Sequence, residues 1–233
     1  MAVFGGERNA HLFGDLQVFD FSTSEWTVVS PSEPSGHARP RARYDHVAFV
    51  HAGEMYVHGG LAAGGEILGD LWAFDFGKNE WREVAPGGPA LLGRRFGHTV
   101  AERDGTFYVF GGYSDAGPTS DFYSLQVANG TAAPVVQKLD SGAVEPRFAH
   151  SSFAEGDSVH VVGGNDDDNN QKGGLWSYNV LSGQWSSTQI QDSVVCEASA
   201  FPATGGIVVS GGSCGEALVP GELGTPLLHL PKM

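Results

Sequence analysis

A glycine pair closes a short apolar run five times in this chain, and the interval between occurrences is nearly constant. The first glycines stand at Gly5, Gly59, Gly111, Gly163 and Gly211, with steps of 54, 52, 52 and 48 residues. Self-similarity at a fixed period of this size is the mark of a repeat architecture, in which each repeat is one supersecondary unit. Two further markers keep step with the glycines. Arg43-x-x-His46, Arg95-x-x-His98 and Arg147-x-x-His150 recur 52 residues apart. A strand-like run ending in an acid or amide and then Trp reads GDLQVFDFSTSEW at 14–26, GDLWAFDFGKNEW at 69–81 and GGLWSYNVLSGQW at 173–185. Asp20, Asp75 and Asn179 each precede their Trp by six residues, whereas Ala132 takes the Trp place in the third repeat.

Within one period the apolar pattern predicts four short strands. In the second repeat these are YDHVAFVH, EMYVHGG, LWAFDF and EWREVA, separated by Ala52-Gly53, Gly64-Gly65 and Gly77-Lys78-Asn79. Short alternating runs bounded by glycine and asparagine read as antiparallel strands and tight turns. Composition agrees: 34 Gly and 12 Pro punctuate a chain that also carries 14 Phe, 6 Tyr and 5 Trp. Four antiparallel strands in about 50 residues describe a propeller blade. A blade is apolar on both faces, so neighbours must cover it. The glycines are expected to end strand two where a side chain would hinder the turn, the Trp to pack between blades, and the acid to cap the turn before it.

These three markers in fixed order resemble the kelch repeat, and the resemblance covers nearly the whole chain. It implies an all-β kelch-type β-propeller of about four to five four-stranded blades. The repeats run roughly over 1–36, 37–90, 91–142, 143–192 and 193–233. Met1 aligns with Met55 inside strand two. The first blade is therefore expected to lack strand one and the last, ending LLHLPKM, to lack strand four, as in an incomplete ring.

The resemblance also implies that strand one lines a central channel. Arg43, Arg95 and Arg147 would then lie near one mouth of it. In kelch proteins that bind acidic peptides, and in plant specifier proteins acting on a sulfate-bearing intermediate, arginines at this motif position face the ligand. A guanidinium fork suits carboxylate or sulfate, and Tyr44, Phe96 and Phe148 would supply apolar walls. The alternative is that each Arg bonds carbonyls of the adjacent loop and only holds blades together. His46, His98 and His150 are expected to make a structural hydrogen bond within each blade. Pairing each His with its glycine sets Arg43 opposite Ala62, Arg95 opposite Ser114 and Arg147 opposite Asp166, where Asp166 could absorb the charge of Arg147. In the last repeat the same rule, with Ser199 opposite Gly211, places Cys196 opposite Cys214. A cross-strand disulfide is then expected under oxidising conditions and free thiols in a reducing cytosol.

Two metal patterns need weighing. Specifier proteins hold iron with a Glu-x-x-x-Asp-x-x-x-His run after a glycine pair; this chain has Glu7-x-x-x-His11-x-x-x-Asp15, with His and Asp exchanged. In NDDDNNQKGG, Asp166, Asp168 and Asn170 alternate like a calcium loop, without its glycine and distal glutamate. A solvated acidic loop is the expectation there. No cofactor is called for, and no catalytic triad, phosphate loop or Tyr–Cys copper set is identifiable. The formal charge of −14 argues against nucleic acid or an anionic membrane as partner. The reading is a protein–protein interaction scaffold with a cytoplasmic or nuclear default, binding a protein partner, an acidic segment being one candidate, at the loop face and arginine-lined channel mouth. A metal-dependent, specifier-like enzyme and a truncated fragment without independent function are the alternatives.

Overall fold

Each period of the sequence becomes one antiparallel sheet in the computed structural model, which describes residues 1–29, 39–84, 91–128, 132–189, 198–203, 206–211 and 227–228. The second sheet runs Val47–His51, Glu54–His58, Leu71–Asp75 and Glu80–Val84 in sequential order. The third is Thr99–Arg103, Thr106–Phe110, Phe122–Gln126 and Val135–Leu139, and the fourth is Ser151–Glu155, Ser158–Val162, Leu175–Asn179 and Gln184–Thr188. The first sheet has three strands, Ala2–Phe4, Leu16–Asp20 and Glu25–Val29. The fifth, among the described residues, has Ala198–Ala203, Gly206–Gly211 and Leu227–Leu228. Met1 sits in register beside Phe19, exchanging bonds of 2.8 and 3.0 Å with it, as Met55 pairs with Phe74.

The expected registers of three hairpins hold. Val47 opposes His58, Thr99 opposes Phe110 and Ser151 opposes Val162, which are the pairings that set His opposite the first glycine. The fifth sheet is displaced by one residue: Ser199 opposes Ser210, not Gly211. A one-residue slip exchanges the faces of every side chain. Cys196 and Cys214 themselves lie outside the described residues.

The chain divides into two compact units, Met1–Phe96 with Gln126–Val136, and Gly97–Leu125 with Gln137–Met233. The first unit is held by Phe4, Leu16, Met55, Val57, Trp72, Phe74 and Trp81. Trp81 of the second sheet packs on Phe4 of the first, with ring centres 5.2 Å apart. The second unit repeats the device. Trp185 of the fourth sheet lies 5.8 Å from Phe110 and 5.1 Å from Phe122 of the third, and Val144, Val161 and Tyr178 complete that core. Burying each such aromatic contributes roughly 2–3 kcal/mol. The acids cap their turns as expected: Asp75 accepts the amides of Gly77 and Lys78, and Asn179 those of Leu181 and Ser182.

The glycine pairs have φ of 64 and 102°, 66 and 97°, 64 and 96°, and 72 and 93°. This left-handed backbone is open to glycine at no steric cost. Space enforces it as well. A Cβ on Gly60 would lie 2.6 Å from the Tyr44 carbonyl of its own sheet, and one on Gly111 2.7 Å from the Arg147 carbonyl of the next. The pair thus seats strand one of its own sheet and the arginine of the following one.

Candidate functional site

Within each unit the Arg-x-x-His element ties a sheet to the one before it, the second to the first and the fourth to the third. Its third residue turns left-handed, with φ of 52° at Asp45, 60° at Gly97 and 54° at Ala149. That turn separates an isolated bridge, Tyr44–Leu61 or Phe148–Asn165, from the strand that follows. It also leaves the arginine backbone free to bond the preceding sheet. In the first unit Gly6 N donates to Arg43 O at 2.8 Å and Arg43 N to Phe13 O at 3.2 Å. Gly60 and Leu68 clamp Arg95 in the same way, at 2.9 and 3.0 Å. In the second unit Gly112 and Thr119 clamp Arg147, at 2.9 and 3.3 Å.

The arginine side chains then turn inward. Arg43, Arg95 and Arg147 are 0, 2 and 1% exposed. Arg43 donates from Nε to Arg41 O (3.0 Å), from Nη1 to Gly59 O (3.1 Å), and from Nη1 and Nη2 to the two carboxylate oxygens of Asp70 (2.6 and 2.8 Å). Trp72 Nε1 donates to the same carboxylate at 2.6 Å. Burial alone would raise the pKa of Asp70, but the bonds from Arg43 and Trp72 outweigh it and hold the carboxyl below the usual range. Arg147 donates from Nε to Glu145 O (3.2 Å) and from Nη1 to Gly163 O (3.0 Å). The bonds to Gly59 O and Gly163 O lie within the sheet, so the side chain ties strand one to strand two while the backbone ties sheet to sheet. Tyr44, Phe96 and Phe148 are half-buried, and Phe148 meets Tyr113 edge to face at 5.4 Å.

Asp166 does not meet Arg147, although it stands opposite in register. Its carboxylate accepts from the amides of Asp168 and Asn170 and from Asn170 Nδ2, and it pairs with Lys172 Nζ at 3.1 Å. Burial would raise its pKa, but Lys172 and Asn170 prevail and bring it to about 2. The NDDDNN loop is thus internally satisfied, as an acidic surface loop.

The histidines bond between sheets rather than within one. The ring of His46 bonds the Phe4 carbonyl of the preceding sheet and lies 5.6 Å from the Phe4 ring. His150 bonds the Phe110 carbonyl and pairs its Nε2 with Thr99 Oγ1 at 2.8 Å. The correction has a steric cause: the left-handed residue just before the histidine aims the imidazole at the previous sheet's glycine pair. Burial, followed by the neighbouring arginine, pushes His46 down to about 4 and His150 down to about 3.

Glu7, His11 and Asp15 occupy a small hairpin, Glu7–Arg8 with His11–Leu12, and its exit. Glu7 accepts from the amide of Ala10, His11 lies edge-on to Phe13, and Asp15 accepts from Gln17. Among the described residues no three His, Cys, Asp or Glu side chains gather as metal ligands. No helix of the described residues is long and apolar enough to cross a membrane.

Sequence reasoning missed Asp70 as the partner of Arg43. The signal was present, since Asp15, Asp70 and Asp121 recur with the repeat. It also passed over Gly174, which stands where that acid would fall in the fourth repeat, and Lys172, which claims Asp166.

The comparisons agree with this frame. A family model described as the Attractin/LZTR1 beta-propeller matches residues 1–218. The chain is 36% identical over 122 residues to human multiple epidermal growth factor-like domains protein 8, covering 48% of this chain and 4% of that protein. It is 28% identical over 172 residues to N-(sulfonatooxy)prop-2-enimidothioate sulfolyase of Thlaspi arvense, covering 69% of this chain and 47% of the relative. It is 25% identical over 159 residues to Kelch domain-containing protein 3 of Bos taurus, covering 66% and 41%. The chain thus spans less than half the length of each of these relatives. Repeat markers, sheets on one register and a family match over 218 residues converge, and the chain belongs to the Attractin/LZTR1 beta-propeller family, a kelch-type propeller.

Proposed function

We propose that this chain is a protein-interaction scaffold that recognises its partner through the loops joining strands two and three of its sheets. One observation carries the reading: the frame repeats from sheet to sheet, whereas these loops differ in each. Residues 7–12 form a hairpin, 63–65 a 3₁₀ turn, 113–118 a second hairpin, and 166–171 an aspartate-centred turn. The two hairpins and the aspartate turn project exposed polar side chains, and Glu66 follows the 3₁₀ turn. Arg41 pairs with Glu66 at 2.8 Å, Ser114 with Gly117 O at 2.9 Å, and Tyr113 with Asp167 at 2.9 Å. Variable loops on a rigid scaffold are the usual carriers of recognition. Both terminal nitrogens of Arg43 are held by Asp70 and its Nε by Arg41 O, so the reading rests on the loops rather than on an arginine mouth.

The test replaces residues 7–12, 113–118 and 166–171 by Gly-Ser segments of equal length, with circular dichroism as the check on folding. Proteins captured from cell extract by the intact chain should be lost from the loop-replaced one. The same proteins bound by both would reject the loops as the recognition surface. Similarity to the sulfolyase supports a second reading, a metal-dependent enzyme. Stoichiometric iron in purified protein, lost in Glu7→Ala, would favour that reading over the scaffold.

A further inference from the structure

The second and fourth sheets each set a tryptophan against the sheet before it, and the two indoles differ in what lies on them. Trp185 opposes Tyr178 in register as Trp81 opposes Phe74. In the second unit the linker entering Arg147 runs across the indole. Trp185 Nε1 donates to Asp140 O at 2.9 Å. Gly142 lies against the ring, where a Cβ would stand 2.9 Å from Cδ1. Val144, 3% exposed, then enters the core beside Trp185. A short stretch of polypeptide therefore fills this groove with one carbonyl, one residue lacking a side chain and one aliphatic anchor.

In the first unit the corresponding place is a groove of about 990 Å³, lined by Leu16, Val28, Val29, Pro40 and Trp81. Pro40 stands three residues before Arg43, as Val144 stands three before Arg147, and it is buried. The chain thus supplies the anchor itself. It supplies no carbonyl for the indole. Trp81 makes ring contacts with Phe4 and Phe74, at 5.2 and 5.1 Å, and among the described residues nothing accepts its N–H. A tryptophan N–H set among apolar groups ordinarily finds an acceptor. The apolar wall is open as well, with Val28 60% exposed. The charges along the groove are mainly positive. His11, Arg39, Arg41 and Asp15 line it, and Gln17 bonds the Asp15 carboxylate while Glu66 holds Arg41. Arg39 is exposed and, among the described residues, has no ion pair.

We propose that the groove at Trp81 binds an extended peptide segment of a partner protein, laid across the indole as residues 140–144 are laid across Trp185. A partner carbonyl takes the Trp81 N–H, a glycine lies on the ring, and an apolar side chain covers Val28. The groove is at the upper end of the size range of small-molecule pockets, room for a few residues of extended chain. The unpaired Arg39 favours a neutral or acidic segment and turns a basic one away. The inference goes beyond the loop reading above, since Val28, Arg39 and Trp81 lie outside the loops replaced in its test.

The experiment is a titration of the native chain followed by the indole ¹⁵N–¹H signal of Trp81, assigned with Trp81→Phe or by its contact with the Phe4 ring. The probe is the blocked hexapeptide Asp-Ser-Gly-Ala-Val-Glu, the sequence of residues 140–145. A saturable shift of the Trp81 signal is expected, while the other indoles stay put. The same peptide with Val in place of Gly should bind at least about ten-fold more weakly, because a β-branched side chain overpacks the ring. Val28→Glu, at an exposed position, should weaken the response by a similar factor, with circular dichroism as the check on folding. Arg39→Glu should weaken this acidic peptide too. No saturable shift, equal binding of the Val peptide, or an unchanged response in Val28→Glu overturns the proposal. A Trp81 shift on concentrating the chain without peptide would assign the groove to a second copy and overturn it as well.

Discussion

The second and fourth sheets carry the same arginine in two electrical states. Arg43 is neutralised by Asp70, whereas Arg147 faces a glycine at that place. Another buried polar group in the same pair of sheets changed differently. In the second sheet Arg82 grips Glu54 with bonds of 3.2 and 2.8 Å, and Tyr56 donates to the same carboxylate at 2.7 Å. In the fourth sheet all three positions are altered together, to Ser186, Ser158 and His160, and His160 Nδ1 pairs with Ser177 Oγ at 2.8 Å. Losing both partners of a buried pair can be nearly neutral, while losing one strands the other. The repeat therefore tolerates rewiring of a polar cluster as a unit. Arg147 is the exception, a single loss with its donors retained.

The largest test makes the second sheet a copy of the fourth. Asp70→Gly should cost about 3 kcal/mol, the scale of breaking one side of a buried pair, read as a lower midpoint in urea denaturation. An effect below about 1 kcal/mol would mean that Arg43 is solvated after all, and the contrast between the sheets would collapse. Next in size, Glu54→Ser should cost about 2 kcal/mol by leaving Arg82 without its partner. Arg82→Ser in the same chain should return part of that loss, and strict additivity of the two would show that the pair is uncoupled.

The histidines sharpen the comparison by about 1.4 kcal/mol each. His46 and His150 have folded pKa values lowered to about 4 and about 3, by burial first and by Arg43 and Arg147 second. A lowered histidine pKa means that the unfolded chain binds the proton more readily. Their contribution is complete above pH 6.5 and declines as pH falls through the window down to the folded values. At pH 5.5 each histidine should have lost about 1.4 kcal/mol, the equivalent of one pKa unit. Nuclear magnetic resonance titration should show His46 protonating at higher pH than His150, since His46 is half-buried and His150 buried. The opposite order would mean that burial does not set the difference between the two sheets.

The frame was legible because its causes are local. Glycine pairs at a fixed interval set the phase, alternation set the strands, and tight turns fixed three hairpin registers. The destination of the arginine side chains was not. It depends on a left-handed residue at Asp45 or Ala149, which neither residue type announces, and on a partner 27 residues away that only the repeat alignment brings near. The fifth register differs by one, with Ser199, in the histidine's place, opposite Ser210 rather than Gly211. Asp166 shows the limit most plainly: the predicted register was right, yet Lys172, six residues on, took the carboxylate.

That competition yields the smallest and most discriminating prediction. Lys172→Met removes the cation holding Asp166 and Glu145 while keeping the stem of the side chain. Lys172 and Asp166 are both partly solvated, so the stability change should be slight. The consequence lies in where Asp166 turns. Standing opposite Arg147 in register, it should swing toward the guanidinium. The side-chain N–H signals of Arg147 in a ¹⁵N–¹H spectrum should then shift, because a new carboxylate bond forms. Unchanged signals would mean that Asp166 is held by Asn170 and its own turn alone. Lys172 would then be a bystander, and the isolation of Arg147 would follow from the geometry of the loop rather than from a rival cation.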